Sequence, residues 1–250
     1  MEDFMIKETF KLPSLGKVYN VDIPEDIELR SMTINEEMMR LGNSGTWKSI
    51  ADVIDACILT KLPISTYDMC TADFTFLWHR LRVVTYGASY PIDCTCTFCN
   101  ARNSFNIDLL KLPITYYDSA EYNKYKSFEL PISKKQITIE IQTPRMLDII
   151  ESKVRSQKEK TGNGSKILAT LQTSISLVDN KKIDASEKEI LLRTLPMQDI
   201  NKIIVATDNL NNCFGLGITV EAECENCHET FLTMFQQGKE FFRPTTNFEW

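Results

Sequence analysis

Two C-x-x-C pairs, Cys96-Thr97-Phe98-Cys99 and Cys224-Glu225-Asn226-Cys227, restrict what this chain can fold into more than any other feature. Each pair lies between two strand-like segments, so each reads as a tight turn with two thiols pointing the same way. One such turn supplies half of a tetrahedral zinc site, and two packed side by side complete a four-cysteine site, the arrangement of a zinc ribbon. Soft thiolates favour zinc over calcium or magnesium. Compact ribbons separate their pairs by ~15–20 residues, whereas 124 residues lie between Cys99 and Cys224. The pairs meet only if the intervening chain is an insertion that leaves one hairpin and returns beside the other.

Competing readings are weighed on the same residues. Cys94 is an alternative ligand to Cys96, but only Cys96 makes the two-residue spacing with Cys99. His228 adjoins Cys227, where adjacent ligands have poor geometry, and reads as a surface imidazole. A redox C-x-x-C opens a helix whose N-terminus lowers the thiol pKa, and here strands flank both pairs. The plainest alternative is two unrelated turns carrying reduced surface thiols. Cys57 falls on an apolar helical face and reads as a small core residue, while Cys70 and Cys213 have no evident partner.

Composition sets the background. The 250 residues carry 28 Lys+Arg against 34 Asp+Glu, a formal charge of −6, with 43% hydrophobic residues, enough for a core. No uncharged apolar stretch approaches the ~18 residues of a membrane span. The acids in Met1-Glu2-Asp3-Phe4-Met5 stand where a secretory signal has basic residues, so a reducing compartment is expected and the eight cysteines are read as thiols or metal ligands. The acidic balance disfavours broad contact with phosphate backbones.

Periodicity divides the chain into three parts. Residues 1–89 read as an extended arm and a helical unit. The arm, Thr9 to Tyr19, turns through Pro13 and Gly16, and a short strand alternates from Ile27 to Met32. Thr33-Ile-Asn-Glu36 is a capping box for a helix ending near Gly42. Further helices are expected from Trp47 to Leu59 and from about Ala72 to Tyr86, the latter stopped by Gly87. Residues 90–110 together with 216–244 read as a split zinc-ribbon-like β unit. Residues 111–215 read as a mostly helical insertion. Within it, Phe128–Leu130 and Ile137–Ile141 are expected to form a hairpin, and Thr143-Pro144 to open a helix. That helix is expected to dissolve into a mobile loop, Lys158–Ser165. Helices are then expected at about Lys166–Val178, Ser186–Thr194 and Met197–Asn209. The fold class expected is α+β: a helical N-terminal unit and a split pair of β-hairpins with a largely helical insertion between them.

Catalytic chemistry is not visible. Only His79 and His228 offer imidazoles, and His79 sits in a helix between Trp78 and Arg80. No glycine-rich loop precedes a Lys-Ser/Thr, and Gly215-Leu216-Gly217 leads into a strand. A four-thiolate zinc has no open position for water and is structural.

The order of several short motifs resembles the baseplate hub and hub-assembly proteins of T4-like contractile-tailed phages. These motifs are Leu12-Pro13-Ser14-x-Gly16-x-x-Tyr19, Arg30-Ser31-Met32-Thr33-x-x-Glu36-Glu37, Asp73-x-x-x-Leu77 and Leu81-Arg82-x-x-x-Tyr86-Gly87-x-x-Tyr90. The two C-x-x-C pairs and Phe241-Phe242-Arg243-Pro244 complete the set. The resemblance implies no catalytic residues. It implies a late viral protein, structural subunit or assembly chaperone, that binds other tail and hub proteins in the host cytoplasm and either stays in the virion's tail baseplate or acts only during assembly. The arm and the aromatic C-terminus (Phe241, Phe242, Phe248, Trp250) are candidate docking segments, or else they pack on their own core. The competing class is a nucleic-acid-binding zinc-ribbon accessory protein. The knuckles oppose it, since they carry Thr97, Phe98, Glu225 and Asn226 with no Lys or Arg.

Overall fold

A computed structural model describes residues 5–42, 46–162, 164–234 and Phe241. The chain begins with Lys7–Lys11 (β1), paired antiparallel with Asp26–Arg30 (β2) so that Phe10 lies opposite Ile27. In β2 the fully buried Ile27 and Leu29 alternate with charged residues, a strand with one face on the core. The arm between them turns at Leu15 and Gly16, both at positive φ. A Cβ on Gly16 would meet the Ile23 carbonyl oxygen at 2.4 Å, so the turn needs glycine there.

Helices Ile34–Gly42 (α1) and Trp47–Cys57 (α2) follow, then Thr71–Tyr86 (α3). The expected boundaries hold closely for all three. Helix α3 is buried on nearly every side, from Asp73 and Phe74 through Val84, and is the central post of the N-terminal core. It ends at Gly87, at φ 86°, whose N–H donates to the Val83 carbonyl.

Next come the hairpin Ser89–Thr95 (β3) and Arg102–Asp108 (β4), the short strand Ile114–Thr115 (β5), Ser119–Lys126 (α4), Ser127–Glu129 (β6) and Gln136–Ile139 (β7). Pro144–Thr161 (α5), Lys166–Ser174 (α6), Ile175–Val178 (β8), Ala185–Thr194 (α7) and Met197–Asn212 (α8) complete the middle of the chain. Gly215–Leu216 (β9) leads to a last hairpin, Thr219–Glu223 (β10) and Thr230–Met234 (β11). The fold is thus mixed α and β with small antiparallel sheets: among the described residues, four of two strands and one of three, in the order β6-β7-β8.

The pair β5–β9 is the hinge of the topology. Ile114 pairs with Leu216 and Thr115 with Gly215, so the middle of the chain leaves and returns side by side. Gly217 donates to the Pro113 carbonyl at 2.7 Å, and a Cβ at Gly217 would meet the Pro113 ring at the same distance. Past this neck a second core forms, including Leu130, Ile137, Ile139, Leu171, Ile203 and Leu210, and Cys70 and Ala72 at the start of α3 belong to it as well.

Several expectations are corrected here. The segment expected as one helix over Lys166–Val178 is helical only to Ser174. Ile175–Val178 pairs with β7 instead, placing Val178 opposite Ile137. An apolar run rich in β-branched residues packs as well on a half-buried sheet as on a helix, and here the available strand edge decides. The first half of the loop expected at Lys158–Ser165 is helix: α5 continues to Thr161, and Gly162 caps it at φ 74°. The helix α4 was not expected; Asp118 caps it by accepting from Ala120 and Glu121. Residues 242–250 and their aromatic side chains lie outside the described residues.

Half of the box expected at Thr33 forms: Glu36 reaches back to the Thr33 N–H, while Thr33 Oγ1 accepts from the Asn35 N–H at 3.3 Å rather than from that of Glu36. The Thr33 N–H and hydroxyl both donate to Glu36 Oε2 at 2.7 Å, and Arg30 grips the same carboxylate at 2.8 and 3.2 Å. The Arg30 hydrogen bonds, more than any other cause, pull the Glu36 carboxyl down from 4.5 to about 2. A carboxylate whose folded pKa is depressed stabilises the fold above its unfolded value, and that contribution disappears as pH falls from about 4.5 through about 2. Glu36→Gln is therefore expected to cost on the order of 3 kcal/mol at pH 7. In urea melts at pH 7 and pH 3 the variant should lie well below wild type at pH 7, with a smaller gap at pH 3. An equal gap at both values would contradict the assignment.

Candidate metal centre

Both C-x-x-C pairs sit at hairpin tips. Cys96 and Cys99 follow β3, and Cys224 and Cys227 follow β10. The two turns are built alike. The N–H of Cys96 donates to the Ala101 carbonyl and that of Asn100 to the Cys96 carbonyl. In the second turn Cys224 donates to the Glu229 carbonyl and His228 to the Cys224 carbonyl. The residue after each second cysteine is left-handed, Asn100 at φ 58° and His228 at φ 59°. Asn and His are among the residues enriched in that region, so each turn reverses the chain and brings its two thiols onto one side.

The four sulfurs gather. Cys96 Sγ lies 3.8 Å from Cys227 Sγ, and Cys99 Sγ lies 3.5 Å from Cys224 Sγ. All four lie within 4.8 Å of one another, and neither Cys94 nor His228 belongs to the set. Four sulfurs at the zinc–thiolate distance of ~2.3 Å in a tetrahedron stand about 3.8 Å apart. A disulfide needs ~2.05 Å. The spacing fits a metal and not a bridge.

Electrostatics agree with the geometry. Backbone N–H groups of Cys227 and Asn226 hold the Cys224 thiol down to about 6 against the cost of burial. The Ala101 backbone N–H and the Asn226 amide lower Cys99. At Cys227 the Glu229 N–H works in the same direction. Desolvation and the hydrogen bonds of Cys99, Cys224 and Cys96 outweigh it and push that thiol up to about 12. Four thiolates cannot share this volume without a cation among them, and a dication with N–H donors around it relieves the repulsion. The Phe98 N–H points at Cys96 Sγ at 3.4 Å, a donor placed for a charged sulfur. With four sulfurs around one ion, no coordination position is left for water.

A buried asparagine also joins the hairpins. Asn103, 3% exposed, accepts from the Glu225 N–H at 2.9 Å through Oδ1 and donates to the Ala101 carbonyl at 3.0 Å. No spacing rule in the sequence points to it.

The remaining motif residues hold the fold. Asp73, fully buried, accepts from the Ser14 N–H at 3.0 Å, from the Ser14 hydroxyl, and from Tyr19 Oη at 2.6 Å. Tyr19 in turn contacts Cys70 Sγ and accepts from the Cys70 N–H, each at 3.2 Å. The arm is thereby fastened to the start of α3 and is not a free docking segment. Arg82, 1% exposed, donates to the Phe241 and Gly87 carbonyls at 3.0 Å and lies over the rings of Tyr86 and Tyr90. Phe241 is itself fully buried against Trp78, His79 and Tyr90. That part of the C-terminal aromatic group packs on its own core. His79 stacks on Phe241 at an interplanar angle of 19°, and burial pushes its pKa down to about 4, leaving it neutral. Cys57 is buried as expected, its thiol pushed up to about 12.

Fold and site together define a mixed α and β protein of small antiparallel sheets, with a four-cysteine cluster able to hold a metal ion. The chain matches the family described as T4 bacteriophage base plate protein over residues 5–243, and it belongs to that family. Neither the curated proteins nor the solved structures contain a significant match. Membership makes it a phage baseplate protein, associated with other tail proteins as a component of the virion tail. No helix among the described residues is long and apolar enough to cross a membrane.

The geometry predicts about one zinc per chain in protein purified without chelator, measured by elemental analysis. Cys224→Ser should lower both the metal content and the melting temperature, at about 2–4 °C per kcal/mol for a chain of this size, while Cys94→Ser should change neither. Metal-free protein with an unchanged melting curve would contradict the site.

Proposed function

We propose that this protein is a non-enzymatic baseplate hub assembly protein, a structural subunit or assembly chaperone, which acts by binding other hub and tail proteins. A structural zinc on Cys96, Cys99, Cys224 and Cys227 holds its binding shape. The observation that carries the reading is the family match across nearly the whole chain, joined to a thiol set with no open coordination position. We read the chain as three units: residues 1–89, a split zinc-ribbon-like unit of 90–110 plus 216–244, and the insertion 111–215. The β5–β9 neck supports this division, because it closes the insertion on itself beside the ribbon. The protein meets its partners in the host cytoplasm during assembly.

Nucleic-acid binding through the ribbon is the reading it displaces. Between Gly217 and Met234 the chain carries Glu221, Glu223, Glu225 and Glu229 and no Lys or Arg, which repels phosphate.

Co-expression with the hub and tail proteins of the same phage should leave at least one of them bound through gel filtration at physiological salt. Glu225→Ala should keep its fold, and Cys224→Ser should lose partner and fold together. If Cys224→Ser melts earlier yet binds normally in the cold, zinc is only a remote stability element. A wild type that binds no tail protein but retains DNA or RNA would overturn the reading.

A further inference from the structure

The outer face of the β10–β11 hairpin sets two exposed apolar side chains beside charge of one sign. Cross-strand partners in an antiparallel pair share a face, and the register places Met234 beside Thr219, Leu232 beside Glu221 and Thr230 beside Glu223. All six are exposed, and the alternate residues Ala222 and Phe231 turn inward onto the cysteine cluster. Leu232 and Met234 are 63% and 60% exposed, and no described residue covers them. Leu232 and Met234 stand two residues apart on the same face of β11, so their exposed side chains form one apolar pair beside the carboxylates. Glu225 and Glu229 extend the negative charge around the tip, and the hairpin has no Lys or Arg to neutralise it.

We infer that this face docks a second baseplate protein through a cationic surface that surrounds an apolar contact. The inference rests on the tail-protein-binding function proposed above and adds the surface and the partner's chemistry. A second copy of this chain using the same face would oppose carboxylate to carboxylate, which like-charge repulsion disfavours. A nucleic acid would be repelled in the same way. A partner with Lys and Arg around an apolar recess meets both features: its cations pair with Glu221 and Glu223 while Leu232 and Met234 leave water. The zinc site behind the face keeps the ribbon rigid, so little ordering is lost on docking.

The test uses the full-length protein with hub and tail proteins of the same phage, purified singly and measured against it by biolayer interferometry. Glu221→Lys/Glu223→Lys should weaken the partner's binding about tenfold or more, at unchanged zinc content and melting temperature. The matched charge change Glu159→Lys/Asp208→Lys, on exposed positions elsewhere, should leave binding within about twofold. The wild-type association rate should fall steeply between low and high salt. Oxidative footprinting should find Met234 reactive in the free protein and protected in the complex. A partner that binds Glu221→Lys/Glu223→Lys as tightly as wild type overturns this face and leaves the general function standing. Wild type that binds no tail protein overturns both. Met234 already protected in the free protein, or self-association that the Lys variant abolishes, assigns the face to this chain itself and overturns the proposal.

Discussion

Four thiols from chain segments 124 residues apart stand within 4.8 Å of one another, and the rest of the topology has to accommodate that meeting. A loop of this length costs several kcal/mol of closure entropy, so something must hold the ends. The β5–β9 pair contributes two residues on each side, and Gly217 against Pro113 brings the strands close. Neither is large. A metal bound by four thiolates contributes far more, because its binding free energy becomes folding free energy when the unfolded chain has no site. The hairpin tips are equivalent down to the left-handed residue after each pair, and together they present a closed shell.

The N-terminal half depends on buried polar clamps. Asp73 and Arg82 lie nine residues apart on the central helix, both almost fully inside. A buried charge without partners costs several kcal/mol. Each is partnered from a distant part of the chain: Asp73 by Ser14 and Tyr19 of the arm, Arg82 by the carbonyl of Phe241, with Gly87 at the end of the helix as its second acceptor. Helix α3 thus gathers both ends of the described chain. The short motifs that carry the resemblance to the baseplate family are largely these clamps, so their fixed order reflects how the fold is tied together.

Much of this was legible in the sequence where the signal is local. The return contact from Glu36 to the Thr33 N–H, Pro144 at the start of α5 and Gly87 at the end of α3 each act within one helical turn, and each appears where expected. The paired cysteines were legible because two thiols spaced by two residues at a hairpin tip are a local signal. Elements decided by distant partners were not. Ile175–Val178 is a strand only because β7 offers an edge, and the β5–β9 neck is too short to leave a periodic pattern. Asn103 bridges the hairpins through a backbone N–H that no motif predicts. Which of the two alternatives holds for the arm and for Phe241 was hidden for the same reason: both pack on the core against buried charges far away in sequence.

The central claim is that the four cysteines hold one zinc ion and nothing else does. X-ray absorption at the zinc edge on the purified protein tests it most directly. Four sulfur scatterers at ~2.3 Å and no nitrogen or oxygen shell are predicted. A mixed shell with nitrogen at ~2.0 Å would place a histidine at the metal, and the four-cysteine account would be contradicted.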